Sequence, residues 1–186
     1  MISRFFRDEN ANAVLEFALF VPVMIGIILA SADLYNINRM RGVMEQTAHN
    51  LSSILSNQQE WNIKSFDYLV EQVVDVKSLG SYSLVVSKVN LDRTMDWLPI
   101  YRGELDAACP SKSEGNRYLD DMPEEDEDVD NISLIVVQLC RYTDSLVLNS
   151  GLLGNKLMES VAVNRLLYHS IILDKPLSEE VGVEYE

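Results

Sequence analysis

Residues Ala13 to Tyr35 read AVLEFALFVPVMIGIILASADLY, an apolar run with one carboxylate, Glu16, near its start and no further charge until Asp33. A helix rises about 1.5 Å per residue, so about twenty apolar residues cover the ~30 Å hydrocarbon layer of a bilayer. Ala18 to Ala32, extended by Val14 and Leu15, reaches that length, and the stretch predicts a single membrane-spanning helix. Pro22 and Gly26 lie inside it. Both are tolerated in such helices, and Pro22, lacking the N–H that would bond the Ala18 carbonyl, predicts a kink or a loosened turn.

Glu16 is the anomaly. An ionised carboxylate at the centre of a membrane helix costs roughly 3 kcal/mol on insertion scales, and such residues face a partner or a polar cavity. Only Ala13 to Leu15 precede it in the run, so spacing alone leaves two readings open: a carboxylate solvated at headgroup level, or one kept for a partner.

From Asp33 onward the pattern becomes amphipathic, with Leu34, Ile37, Met40, Met44, Ala48, Leu51 and Leu55 at steps of three and four. That is the helical period. It predicts one helix from about Ala13 to Ser56, some 65 Å long, whose first half spans lipid and whose second half packs on a domain; a break near Gly42 is the alternative. After a loop at Asn57 to Asn62, a core-packing helix is expected from Ile63 to Val76, ended by Gly80. YSLVVSKVN, Tyr82 to Asn90, reads as a strand, and WLPIYRG, Trp97 to Gly103, as a short edge strand or bend because of Pro99. NISLIVVQLCRY, Asn131 to Tyr142, reads as a central strand with the long helix on one face. Thr143 to Lys156 is expected to be a connection, Leu157 to Tyr168 a further strand, and the segment after Asp174 a loosely held tail.

The chain has 186 residues, 47% apolar and 24% charged, which leaves room beside the anchor for one domain of about 130 residues. The expected organisation is a leader arm at 1–11, a transmembrane segment at 12–35, its amphipathic continuation at 36–57, an α+β domain at 58–174 and a tail at 175–186. A formal charge of −14 with a pI near 4.5 argues against nucleic acid as a partner, which needs clustered Lys and Arg, and favours basic or cationic ones. Acids fill eight of the eleven positions from Asp120 to Asp130, a run expected to be solvated. A calcium site is the sharper reading, but the run lacks the central Gly of an EF-hand loop.

Enzyme signatures are missing from the sequence. There is no GxSxG elbow, no GxxxxGK[ST] or GxGxxG phosphate loop, no CxxC and no HExxH. His49 and His169, the only histidines, have no second ligand at metal spacing. The chain is expected to be neither an enzyme nor a cofactor protein.

The short arm with Arg4 and Arg7, the small-residue patch Asn10-Ala11-Asn12-Ala13, then Val-Leu-Glu-Phe and the apolar helix resemble a class III signal sequence, the leader of type IV pilin-like proteins. Together with the Asn36 to Asn57 helix, the strand SLIVVQLCRY and the segment MESVAVNRLL, the chain is similar to the TadE/TadF-type minor pilins, or pseudopilins, of tight-adherence (Flp-type) pili. The Leu-Cys-Arg-Tyr strand resembles the TadF branch more. The resemblance implies an α+β, pilin-like fold in which the long helix packs on a small, mainly antiparallel sheet. It implies a bacterial inner-membrane protein, single-pass, with its C-terminal domain extracytoplasmic and a place at the pilus tip after assembly. Its partners would be other minor pilins, the major pilin, a prepilin peptidase, the inner-membrane assembly platform and membrane lipid.

Carried onto this chain, the family pattern places peptidase cleavage between Ala11 and Asn12, with Glu16 the fifth residue of the product and Phe17 the sixth. The family usually has Gly before the cut where this chain has Ala11. An extracytoplasmic domain would lie where thiols oxidise, so Cys109 and Cys140 would form a disulfide worth roughly 3 to 4 kcal/mol; two reduced buried thiols are the alternative. The larger TadG-type protein does not fit, since no DxSxS metal motif is present. The competing functional reading is a single-span extracytoplasmic receptor or scaffold, whose anchor would have no use for Glu16.

Overall fold

The computed structural model describes residues 9–105, 108–120, 132–143, 156–168 and 170–185, with backbone alone at 9–13 and 15. Residues 1–8 of the expected arm at 1–11, the acidic positions 121–130, most of the connection after Thr143, and His169 lie outside the described residues.

Helix α1 (Glu9–Ser56) is 48 residues long, about 72 Å at the helical rise. It continues through Pro22 and through Gly42, around which there is open space. Its first half is bare: Val14, Phe17, Leu19, Phe20, Ile25 and Ile28 are all exposed. Its second half buries the expected stripe, with Met44, Ala48, Leu51 and Leu55 in the main core and Met40 and Val43 at its margin. One expectation needs correcting. Leu34 is 55% exposed, so the stripe's burial starts later than its periodicity, and the apolar core takes in α1 only from Met40 onward.

The next elements in chain order are β1 (Glu60–Trp61), α2 (Ile63–Val73) and α3 (Val76–Leu79). Helix α2 opens on Asn62, whose side chain accepts from the Lys64 N–H at 3.0 Å, and it buries Phe66 and Val70. The single helix expected to Val76 stops short. Asp75 takes the Lys77 N–H at 3.1 Å and the Ser78 hydroxyl at 2.5 Å, and a residue capping a new turn cannot remain inside the old one. Gly80, at φ +65°, then ends α3.

Strands β2 (Ser83–Asn90) and β3 (Ile100–Gly103) follow, then a small hairpin of β4 (Ser113–Glu114) and β5 (Arg117–Tyr118), then β6 (Ser133–Tyr142) and β7 (Leu157–Arg165). The main sheet has the order β3-β2-β6-β7 and is antiparallel throughout. Its inner face carries Leu84 and Val86 of β2 and Ile135, Val137 and Leu139 of β6 into one core with the α1 stripe. On the outer face Val89 and Val136 pack with Met95 and with Tyr118 of the hairpin. Covering both faces explains the unbroken apolar run of β6, and β3 sits at an edge directly after Pro99, as its sequence requires.

The tail is not loose. β8 (Ile172–Leu173) pairs parallel with β1, inside the segment read as a loop, and α4 (Lys175–Val181) buries Leu177 and Val181. One carboxylate organises this corner. Asp174 Oδ1 accepts from the Leu177 N–H at 3.1 Å and Oδ2 from the Ile63 N–H at 3.0 Å, so it caps α4 and the start of α2 together. Arg102 holds the far end of α4, with Nη1 and Nη2 on Glu180 at 2.6 and 3.0 Å and Nε on Asp67 of α2 at 2.6 Å.

Candidate functional site

Two features stand out as candidates: the bare half of α1 around Glu16, and the outer sheet face fastened by the disulfide. Glu16 and Phe17 are both exposed on α1. The backbone at Ala11 and Asn12 is helical, while their side chains lie outside the described residues. The segment from Glu16 onward is long and apolar enough to cross a membrane, and only 6% of its most apolar window is buried. That is the reverse of a soluble core helix, which hides its apolar length. Phe17, Leu19 and Phe20 are 71%, 67% and 63% exposed, an apolar surface of the kind that marks a protein- or membrane-interaction site.

Asp33 marks the junction of the two halves. It is 2% exposed, and its Oδ1 has no hydrogen-bond partner. The sequence showed only that it ended the charge-free run. No spacing rule in the sequence marks it as a buried acid.

Above that junction the helix seats on the sheet through small and polar groups as well as apolar ones. Asn164 of β7 donates to the Ser52 hydroxyl at 2.8 Å, and Ala48, Ser52 and Ser160 are all buried. Small side chains let helix and strand approach closely. Arg141, at the end of β6, donates to the Leu79 carbonyl and reaches the Met40 sulfur, tying α3 and the sheet to the helix near its emergence.

On the outer face Cys109 and Cys140 form the expected disulfide, with Cα atoms 5.3 Å apart. It pins the segment that leads into the β4–β5 hairpin onto β6. Polar contacts extend the clamp: Gln138 donates to the Pro110 carbonyl and to Glu159, both at 3.1 Å, and Lys112 pairs with Glu159 at 2.7 Å and with Asp120. Burial pulls the Lys112 ammonium down, but its hydrogen bonds to Asp120 and Glu159 more than offset this and leave it above the ordinary lysine value. Burial raises the Tyr118 phenol. A cavity of about 110 Å³ remains between hairpin and sheet, lined by Val85, Ser87, Tyr101, Lys112, Tyr118 and Gln138 among others.

Other charged groups serve structure. Lys88 is buried on the core face, paired with Asp96, its ammonium 5.4 Å from the centre of the Trp97 ring. His49 is exposed. Among the described residues, no group of three or more His, Cys, Asp or Glu side chains could hold a metal ion. Of the residues singled out from sequence, the structure pairs Cys109 with Cys140 and leaves Glu16 and Phe17 exposed on α1; Asp33, the Lys112–Glu159–Gln138 clamp and the Asp174 double cap were missed. The last could have been found: Asp174, Pro176 and Gly182 are a start-and-stop signature for a short helix. No family model, curated protein or solved structure matches the chain.

Proposed function

We propose that this chain is a minor pilin, or pseudopilin, of a tight-adherence pilus, of the TadE/TadF type and nearer TadF, with a pilin-like fold. It would be held in the bacterial inner membrane with its domain outside the cytoplasm, and would join an initiation or tip complex that primes pilus assembly for adhesion. It would work as a structural subunit and catalyse nothing. The observation that carries this reading is one unbroken helix, Glu9–Ser56, that buries its second half in a domain and leaves its first half bare with Glu16 in it.

The mechanism follows from electrostatics. Cleavage between Ala11 and Asn12 frees a cationic amine at Asn12. As helices leave the bilayer and pack side by side, Glu16 of one subunit pairs with the amine of its neighbour. A wrong stagger strands one of the two charges away from water, at a cost of several kcal/mol, so the pair fixes the register. An anchor alone has no use for such a carboxylate.

Glu16→Ala tests this. The substituted protein should reach the membrane at the normal level while surface filaments fall at least tenfold; normal piliation would refute the role. Amino-terminal sequencing of assembled material should begin at Asn12, and a start at Met1 would eliminate the processing step.

A further inference from the structure

The two edges of the main sheet differ in a way the assembly reading does not use. Strand β3 is a guarded edge, four residues long and preceded by Pro99. It ends at Gly103, whose φ is +108° and where a Cβ would stand 2.3 Å from the Tyr82 carbonyl oxygen. Short length, proline and a distorted end are how natural sheets avoid unwanted pairing. Strand β7 has none of these: nine residues, LMESVAVNR, without Pro or Gly.

The register shows which groups β7 presents. Thr143 N–H bonds the Lys156 carbonyl at 3.0 Å and Leu166 N–H bonds the Ser133 carbonyl at 2.9 Å. Hydrogen-bonded pairs alternate along an antiparallel ladder, so with Arg141 opposite Met158 and Val137 opposite Ala162, the even-numbered residues of β7 bond to β6. The N–H and C=O groups of Leu157, Glu159, Val161 and Val163 therefore point away from the sheet. They meet no backbone partner among the described residues. The side chains of these same residues lie on the outer face, where Leu157 and Val161 are each 40% exposed and Glu159 is already held by Lys112 and Gln138.

We infer that the β7 edge is a docking site for an extended segment of another polypeptide, which adds a fifth strand beside β7. Main-chain hydrogen bonds to Leu157, Glu159, Val161 and Val163 hold it, and apolar side chains at its alternate positions lie against Leu157 and Val161. A second copy of this chain is the poorer occupant. Helix α1 packs on β7 more than on any other strand. A two-fold β7–β7 pair, with strands about 4.8 Å apart, would crowd two α1 helices whose axes need about 8 to 10 Å. A slim strand without a helix above it meets no such obstacle. The inference stands on the sheet alone and does not depend on the pilus reading.

The test uses the full chain in detergent micelles and, as probe, a ten-residue peptide alternating valine and threonine with a lysine at each end, titrated to about 1 mM. The peptide should slow amide exchange at least tenfold at Leu157, Glu159, Val161 and Val163. Val161→Pro removes an outward N–H while sparing the ladder to β6, and should weaken binding at least tenfold. Val161→Lys keeps the backbone intact and places a guarding charge at the edge, so it should do the same if the proline variant fails to fold. No protection at saturation, equal binding by either folded variant, or a dimer that forms through this edge and dissociates on Val161→Lys would each overturn the proposal.

Discussion

The two halves of α1 are continuous in backbone and opposite in surroundings. Below Asp33 the large side chains Phe17, Leu19, Phe20 and Ile28 are exposed; above Met40 the residues Met44, Ala48, Leu51 and Leu55 are buried to within about 1%. Both stretches carry large apolar side chains and both are helical. Helix formation is therefore not what separates them; the difference is what each apolar surface meets. The upper half has a polar face and a domain to cover its stripe. The lower half, Glu16 aside, is apolar on every side, and it is long and apolar enough to cross a membrane.

Paired truncations would break the comparison most forcefully. Leu51→Ala should cost the domain about 2 to 5 kcal/mol, because the side chain is fully buried in a close-packed core. Leu19→Ala should leave domain unfolding within about 0.5 kcal/mol, since Leu19 is 67% exposed and is not part of the core among the described residues. Denaturant unfolding in micelles measures both, and equal losses would mean that the halves are not independent. The next largest effect is expected at the disulfide. Cys109→Ser should lower stability by about 3 to 4 kcal/mol on the chain-entropy account, with Leu19→Ala adding nothing to it.

A smaller effect sharpens where the upper half begins to depend on the sheet. Ser52→Ala leaves the Asn164 amide without its 2.8 Å acceptor and should cost about 1 kcal/mol. The smallest is acid sensitivity. Burial opposes ionisation of Asp96, but its hydrogen bonds from Lys88 and Asn90 win, and its carboxyl lies below the ordinary value. A folded-state value below the unfolded one means that Asp96 stabilises the domain above about pH 3.9 and that the contribution is lost as pH falls through the lowered native value. Asp96→Asn should flatten the stability curve below pH 4 and leave the behaviour of the lower half of α1 unchanged.

Much of the fold could be read from sequence because its large elements have periods. The 3.6-residue stripe from Met40 to Leu55, the β-branched run of β2 and the continuous apolar centre of β6 each state their structure locally, and Pro99 states an edge. The pieces that escaped are those with no period to show. β1 and β8 are two residues each and exist only because they pair across more than a hundred positions. The acids after Asp174 read as a solvated tail, yet Asp174 and Glu180 are anchored by Ile63 and Arg102, partners that sequence order does not bring near. At the candidate site the same rule holds. Glu16 was legible as a charge in an apolar run; Asp33 was not, because its significance lies in burial that three-dimensional packing creates.

Alkaline carbonate extraction of cell membranes tests most directly whether the lower half of α1 lies in lipid. The chain should stay in the membrane pellet at pH 11, as a spanning protein does. Its quantitative release into the supernatant would contradict the division of α1 into a lipid half and a domain half, and with it the assembly role given to Glu16.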